Sequence, residues 1–268
     1  MAVTIYDVAK EAGVSIATVS RVLNGKPNIS DETRQKVQAV LERYNYVPSG
    51  IARGLVTQSM RTVGIILRDI RNAHHACTAF EVEQTLTRSG YQSILCNVGT
   101  SSRRIEYYFR MLAENKVDGL ILVGSILLSE TIEKAIGRYL PGRPVVITNG
   151  HLSLDQVYSV ICDDLYGVEL AISHLWDRGH RGIAHIKAED APSARTKLIG
   201  YREAMARRQL EVQDGWVVET GYSVEAGHRA ALQLMPQILS GRISALLCGV
   251  APELLCDLEE IRLRRTSL

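Results

Sequence analysis

Apolar residues recur at helical spacing through the first 45 residues of the chain and define three short helices. Thr4, Ser15 and Ser30 precede these helices as N-caps, and Gly13 ends the first one where the chain must turn. The apolar positions are Ile5, Val8, Ala9 and Ala12 in the first helix, Val19, Val22 and Leu23 in the second, and Val37, Val40, Leu41 and Tyr44 in the third. The N-terminal region is therefore predicted to be all-α.

From residue 62 onward, short apolar runs alternate with amphipathic stretches. The predicted strands are Val63–Leu67, Ser93–Cys96, Gly119–Val123, Val145–Thr148, Ser159–Ile161, Ile183–Ile186, Trp216–Glu219 and Ala245–Leu247. The predicted helices cover about residues 77–89, 102–115, 129–137, 165–178, 195–209 and 224–239. β-Rich runs between helices are typical of a parallel sheet covered on both faces, so we predict an α/β core.

Positive charge is concentrated near the N-terminus. The chain has 31 Lys and Arg and 29 Asp and Glu, a formal net charge of +2. Residues 1–61 hold 8 basic and 5 acidic side chains, whereas residues 62–268 hold 23 and 24. The small helical region is therefore the part of the chain with charge suited to a polyanion.

Several classes of protein are disfavoured by motifs that the sequence lacks. The five cysteines are scattered with no C-x-x-C pair, which argues against a disulfide framework and a zinc ribbon. The N-terminus lacks the pattern of a signal peptide, and no stretch reaches the ~18 apolar residues of a membrane span, so we expect a cytoplasmic protein. Dinucleotide, P-loop and hydrolase motifs are missing, so we predict no enzyme and no cofactor.

Two short helices joined by a tight glycine turn and braced by a third are the pattern of a helix-turn-helix, whose second helix enters the major groove of DNA. The outward face of that helix carries Ile16, Ala17, Ser20 and Arg21. Arg21 suits a guanine edge, and Ile16 and Ala17 suit thymine methyl groups. Polar side chains lie where phosphates would pass at Ser15, Thr18, Asn24 and Ser30. The spacing alone fits a plain three-helix bundle with a solvated face equally well.

The run VTIYDVAKEAGVSIATVSRVLN at residues 3–24 resembles the headpiece of the LacI/GalR family of bacterial transcription regulators. The segments ISDETRQKV at 29–37 and YNYVP at 44–48 match the same pattern. The resemblance implies a headpiece over residues 1–48. It implies base reading by Ile16, Ala17 and Arg21, and backbone contact or docking by Tyr6, Ser15, Thr18, Ser20, Asn24 and Tyr46.

Residues 49–61 are predicted to be a hinge. Its first seven residues, SGIARGL, have a cap and an apolar face, but they are too few to hold a helix alone, so a flexible linker is expected in the free protein. In the resembled family this hinge becomes helical on DNA, and a leucine at the position of Leu55 wedges into the minor groove. Ala52 and Leu55 are therefore added to the predicted DNA contacts.

Five stretches of the α/β half resemble the family's regulatory core, which is similar to periplasmic sugar-binding proteins. They are TVGIIL at 62–67, RSGY at 88–91, NKVDGLIL at 115–122, HLWDRGHRGIAH at 174–185 and LIGYREA at 198–204. The resemblance implies two doubly wound parallel-sheet subdomains, residues 62–160 and 161–268. It places a small effector, a sugar or a derivative, in the cleft between them.

The candidate effector contacts are Asp69, Ser125, Asp163, Arg195 and Tyr222. Arg195 matches the family's effector-binding arginine, Tyr222 falls where an aromatic stacks on the ligand, and the other three end strands that face the cleft. A surface arginine and a core tyrosine remain open alternatives. Residues 72–75, NAHH, replace the family's usual Asn-Pro and aromatics, so we expect an unusual effector or an impaired site. The two histidines lack a third ligand for a metal, so we predict none.

The resemblance stops after residue 249, where the chain continues as VAPELLCDLEEIRLRRTSL. The family pattern continues with further strand–helix units, so we expect an incomplete second subdomain, with dimerisation and effector response in doubt. The predicted function is a sequence-specific regulator, a repressor that binds a pseudo-palindromic operator as a homodimer. The alternatives are a soluble sugar-binding module without DNA regulation and an α/β enzyme.

Overall fold

The computed structural model describes residues 3–23, 25–46 and 59–249. The chain divides by its internal contacts into two units, Met1–Met60 and Arg61–Leu268. Three sets of earlier predictions lie outside the described residues. They are Asn24, residues 49–58 of the hinge with Ala52 and Leu55, and the divergent C-terminal segment.

The first unit contains three helices, α1 (Ile5–Ala12), α2 (Ile16–Leu23) and α3 (Asp31–Arg43). Thr4 forms a capping box with Asp7 at the start of α1, and Gly13 ends this helix in the left-handed region at φ 66°. The helices bury one small apolar cluster made of Val8, Ala9, Val19, Val22 and Val37. Every buried position belongs to the apolar stripes read from the sequence, so the helical periodicity correctly predicted the inner face.

The second unit begins with a five-stranded parallel sheet in the order β2-β1-β3-β4-β5. Its strands are β1 (Thr62–Leu67), β2 (Gln92–Asn97), β3 (Gly119–Val123), β4 (Val145–Thr148) and β5 (Val157–Val160). Its helices are α4 (Ala73–Arg88), α5 (Ser102–Glu114) and α6 (Glu130–Tyr139). α5 and α6 bury the larger apolar cluster against one face, with Phe109 and Ile136 fully enclosed, while α4 packs on the other face.

A second parallel sheet follows, with three described strands in the order β7-β6-β8. They are β6 (Ile183–Ala188), β7 (Val217–Thr220) and β8 (Ala245–Cys248), and the helices are α7 (Asp164–Asp177), α8 (Pro192–Arg207) and α9 (Val224–Leu239). The fully buried Tyr201 of α8 donates a hydrogen bond to the Ile183 carbonyl at 2.7 Å. The chain passes from the first sheet to the second between β5 and β6.

The predicted fold class is confirmed, since a helical headpiece precedes an α/β core with two parallel sheets. The largest boundary difference is at α4, which begins four residues before the predicted start at 77. Asn72 caps this helix by accepting the His75 backbone N–H at 3.2 Å, so the helix includes the two histidines. Within the described parts of the chain, no helix is long and apolar enough to cross a membrane.

Candidate nucleic-acid interface and ligand cleft

Helix α2 presents two contrasting faces. Val19 and Val22 are buried in the headpiece core, whereas Ile16, Ala17 and Arg21 are exposed. The exposed side chains lie within six consecutive residues on a face that the core does not use. Among the described residues, the Arg21 side chain has neither a hydrogen bond nor an ion pair, so its guanidinium is available to an outside partner. An exposed arginine beside two apolar side chains is the chemistry expected of a helix that reads base edges in a major groove.

Hydroxyl groups are concentrated at the N-termini of α2 and α3. The Thr18 N–H donates to Ser15 Oγ at 3.1 Å, and the two side-chain hydroxyls lie 2.9 Å apart. Ser30 caps α3 in the same way through Thr33, at 3.3 Å from the backbone nitrogen. Helix N-termini with exposed hydroxyls favour phosphate groups, because the first N–H groups and the helix dipole point outward.

The remaining predicted headpiece contacts differ in exposure. Tyr6 is 68% exposed on α1, whereas Ser20 is half-buried and Tyr46 packs partly against the headpiece core. Two headpiece cations have acidic partners, since Arg43 pairs with Glu11 and Lys36 with Glu32. The Arg21 side chain thus differs from those of Lys36 and Arg43, whose charges are paired with carboxylates.

The second unit contains a cleft of about 720 Å³ between the carboxyl ends of its two sheets. Parallel α/β sheets bind ligands at this end. We call it the ligand cleft. Its polar and aromatic lining comes from Asn72, His74, His75, Thr78, Ser125, Thr148, Asn149, Asp164, His185, Lys187, Ser193, Lys197 and Tyr222. Because the lining comes from both subdomains, a molecule bound here would contact both.

Ser193, at the start of α8, connects the two subdomains within the ligand cleft. Its hydroxyl donates to Asp164 Oδ2 at 2.5 Å and accepts from Asn149 Nδ2 at 3.1 Å. Its backbone N–H donates to Ser125 Oγ at 3.3 Å. Lys197 lies 3.7 Å from Asp164 and completes this network. The two subdomains are thus joined within the ligand cleft by polar side chains.

His75 and Tyr222 face one another from the two sides of the ligand cleft, with ring centroids 6.4 Å apart. Burial, followed by the neighbouring His74, lowers the pKa of His75, so its imidazole is neutral at pH 7. A Cβ at Gly124 would lie 2.8 Å from His75 Nε2, and this glycine adopts φ 96°. Glycine at this position therefore makes room for the histidine ring.

The ligand cleft includes only two of the five predicted effector residues, Ser125 and Tyr222. Asp69 is held by the Arg71 guanidinium at 2.7 Å, which lowers the pKa of the Asp69 carboxyl to about 2. Asp163 caps α7 by accepting the Tyr166 N–H at 2.9 Å, and Arg195 pairs with Asp190 at 2.8 Å. These three side chains are thus occupied by partners close to them in sequence.

Sequence reasoning did not single out Asn149, Asp164, His185, Lys187, Ser193 or Lys197. Ser193 and Lys197 lie two residues on either side of Arg195, which matches the family's effector-binding arginine, so neighbouring helical positions were a usable signal. His185 and Lys187 are two residues apart on β6; the predicted strand Ile183–Ile186 included His185 with no site role and ended one residue before Lys187. In the described residues, no group of three His, Cys, Asp or Glu side chains is arranged to hold a metal ion.

Two family descriptions match the chain in sequence. "Bacterial regulatory proteins, lacI family" matches residues 4–49, and "Periplasmic binding proteins and sugar binding domain of LacI family" matches residues 60–251. The first match covers the helix-turn-helix, and the second covers both sheets. Together they follow the division between the two units.

Three bacterial transcription regulators are similar to most of this chain. An HTH-type transcriptional regulator of Lachnoclostridium phytofermentans is 37% identical over 78% of the chain and 64% of its own length. Catabolite control protein A of Priestia megaterium is 35% identical over 88% of the chain and 71% of its own length. The HTH-type transcriptional repressor PurR of Vibrio campbellii is 34% identical, with coverage of 85% and 68%. The chain thus spans about two thirds of the length of these relatives.

Solved structures show the same fold. The lac repressor dimer bound to operator and the anti-inducer ONPF has a TM-score of 0.80 at 24% identity, covering 98% of this chain and 79% of that one. The complex of the transcriptional regulator CelR with cellobiose has a TM-score of 0.63 at 26% identity, covering 97% and 78%. The chain belongs to the LacI family of bacterial transcription regulators, with a helix-turn-helix headpiece and a periplasmic-binding-protein-like effector domain.

Proposed function

We propose that this protein binds a pseudo-palindromic operator as a homodimer, represses transcription from it, and responds to a small molecule in the ligand cleft. The exposed face of α2, within a headpiece that matches the family over residues 4–49, carries the proposal. Two-fold symmetric operators follow from two-fold symmetric dimers, because each headpiece reads one half-site. Binding to chromosomal DNA places this activity in the cytoplasm.

Base reading is assigned to Ile16, Ala17 and Arg21 because they are exposed together on α2. The proposed phosphate and docking contacts are Tyr6, Ser15, Thr18, Ser20, Ser30 and Tyr46. Asn24, Ala52 and Leu55 complete the proposed DNA contacts and lie outside the described residues. Arginine accounts for the largest part of sequence discrimination in this scheme, since it can donate two hydrogen bonds to guanine.

The proposed effector response rests on contacts between the two subdomains at the ligand cleft. Ser125, Asn149 and Arg68 of the first subdomain contact Ser193 and Glu189 of the second. A ligand that binds one arrangement of these groups better than another shifts the equilibrium between arrangements. Through a dimer, such a shift would change the spacing of the two headpieces and hence their affinity for an operator.

In vitro selection from random DNA with the full chain tests the proposed operator binding. The expected result is enrichment of a sequence with two related half-sites about one helical turn apart. The selected duplex should bind with a sharply salt-dependent affinity, because phosphate contacts release counterions. Enrichment of no sequence, or equal affinity for selected and scrambled duplexes, would show that the chain is not an operator-binding regulator. Ligand binding without such selectivity would favour a sugar-binding module instead.

A further inference from the structure

His185 forms part of the wall of the ligand cleft and is 1% exposed. Its ring stacks on Tyr201 with a centroid distance of 5.1 Å, so its orientation is held by packing. Its Nδ1 lies 3.0 Å from the Leu247 carbonyl oxygen on the neighbouring strand β8. A carbonyl oxygen can only accept, so Nδ1 carries the proton and donates.

The other ring nitrogen of His185, Nε2, therefore decides what this side chain can bind. Burial lowers the pKa of His185, and the nearby ammonium groups of Lys197 and Lys187 lower it further, so the ring is neutral at pH 7. With the proton on Nδ1, Nε2 has a lone pair and can only accept a hydrogen bond. Nε2 is buried and has no hydrogen-bond partner within residues 59–249. A buried acceptor without a donor is costly, which makes a ligand donor favourable here.

The charges around His185 restrict what that donor can be. The lining of the ligand cleft carries two ammonium groups, Lys187 and Lys197, and one carboxylate, Asp164. Asp164 is already engaged by Ser193 and Lys197, and Lys187 pairs with Glu219 on β7. A cationic donor on a ligand would face these ammonium groups, so a neutral donor suits Nε2, and a hydroxyl is such a donor. Lys197 lies 3.7 Å from Asp164, too far for a direct hydrogen bond, so an anionic group on the same ligand can accept a hydrogen bond from its ammonium.

We propose that His185 Nε2 accepts a hydrogen bond from an effector hydroxyl while Lys197 binds an anionic group of the same molecule, so that the effector is a hydroxylated organic anion. This inference rests on the proposed effector response and narrows its ligand class. The anionic group is a carboxylate or a phosphate, since either can accept from an ammonium. A neutral sugar could donate a hydroxyl to His185 Nε2, but it has no anionic group for Lys197 to bind.

Calorimetric titration of the full chain with three matched panels tests this ligand class. The panels are neutral aldoses, the corresponding sugar acids, and the corresponding sugar phosphates. The expected result is that a sugar acid or a sugar phosphate binds at least about tenfold more tightly than its neutral parent. The second and third panels distinguish carboxylate from phosphate. Equal binding of the neutral parent, or binding by no member of either anionic panel, would overturn the proposal.

Two variants separate the two contacts. In His185→Asn the amide nitrogen can take the position of Nδ1 and still donate to Leu247, while the Nε2 acceptor is lost. We expect it to weaken binding of the anion and of its neutral parent alike, by about tenfold. Lys197→Met should weaken only the anion, reducing it to the level of the neutral parent. An unchanged affinity in either variant, with a native unfolding transition, would contradict the assignment of that residue.

DNA binding provides the separate readout for the function on which this inference rests. If the full chain binds its selected operator but none of the anionic compounds, the ligand class is wrong and the regulator assignment stands. If the chain shows no operator preference while the anion binds tightly, the regulator assignment fails and the cleft chemistry stands.

Discussion

The headpiece and the ligand cleft carry functional side chains in different ways. On α2, Ile16, Ala17 and Arg21 lie within six consecutive residues and point away from a core of five buried side chains. The ligand cleft collects its lining from segments between residues 72 and 249, and its walls belong to two sheets. A recognition surface on one short helix depends on local sequence, whereas a cleft depends on the pairing of distant strands.

The two regions also differ in how firmly their polar groups are held. The Arg21 side chain is exposed and has no partner among the described residues, so changing it affects little besides an outside ligand. Ser193 has three hydrogen bonds to Ser125, Asn149 and Asp164. A substitution there changes the packing of two subdomains together with any ligand contact. Mutations should therefore separate binding from stability more cleanly in the headpiece than in the cleft.

The largest expected effect is that of Val19→Asp, which puts a charge into the headpiece core. Val19 is 0% exposed, and an unpaired buried carboxylate costs more than about 4 kcal/mol, which is enough to unfold so small a core. Hydrogen exchange over residues 3–46 should lose its protection, while protection in the two sheets is retained. Binding to the selected operator should disappear.

Ala17→Asp is the matched control, because the same charge is placed two residues earlier on the exposed face of α2. We expect native hydrogen exchange and lost operator binding, since the carboxylate faces the phosphates and base edges. Native exchange in both variants would show that the structure assigns the wrong face of α2 to the core.

Next in size is Phe109→Ala, which probes the scaffold of the ligand cleft. Phe109 is fully buried between α5 and the first sheet, and truncation should lower the free energy of unfolding of the second unit by about 3–5 kcal/mol. Urea unfolding followed by circular dichroism measures this change. Tyr107→Ala, two residues away and 54% exposed, should cost less than about 1 kcal/mol. Equal costs would contradict the inner face assigned to α5.

The contrast between the two regions also explains what the sequence could predict. Helices and strands were located to within a few residues because capping and periodicity are local properties. The sequence correctly indicated that the cleft lies at the carboxyl ends of the strands. The position of a residue at a strand end does not say, however, whether its side chain points into the cleft. Asp69, Asp163 and Arg195 instead bind partners two to five residues away in sequence. The Ser193–Asn149 contact, by contrast, joins residues 44 positions apart.

Arg21→Ala tests whether α2 reads bases. Losing a bidentate guanine contact should weaken binding to the selected operator by about 1–3 kcal/mol, measured by fluorescence anisotropy. Binding to scrambled DNA should change much less, because that affinity comes from phosphate contacts. Lys36→Ala is the control, since this exposed cation pairs with Glu32 at 2.9 Å and should affect both duplexes slightly and equally. An equal loss on both duplexes for Arg21→Ala would assign this arginine to a phosphate.

The smallest effect on stability is expected for Arg71→Ala, which tests whether Asp69 is held at the surface rather than in the ligand cleft. Arg71 holds the pKa of the Asp69 carboxyl at about 2, so its removal should raise this pKa towards the ordinary 3.8, as a carbon-detected NMR titration would show. A lowered carboxyl pKa stabilises the fold above the unfolded value, and that contribution is lost as pH falls from about 4 to 2.

Because both side chains of this pair are more than a third exposed, we expect a small loss of stability at pH 7, which shrinks as pH falls and disappears below about pH 2. Lys134→Ala, which removes a separate surface pair with Glu130, should leave the Asp69 titration unchanged. If Arg71→Ala instead costs several kcal/mol or leaves the pKa of Asp69 near 2, Asp69 is held by buried groups. Asp69 would then not be an example of a side chain held by a partner close in sequence, and the contrast with the cleft, which distant segments form, would fail at this residue.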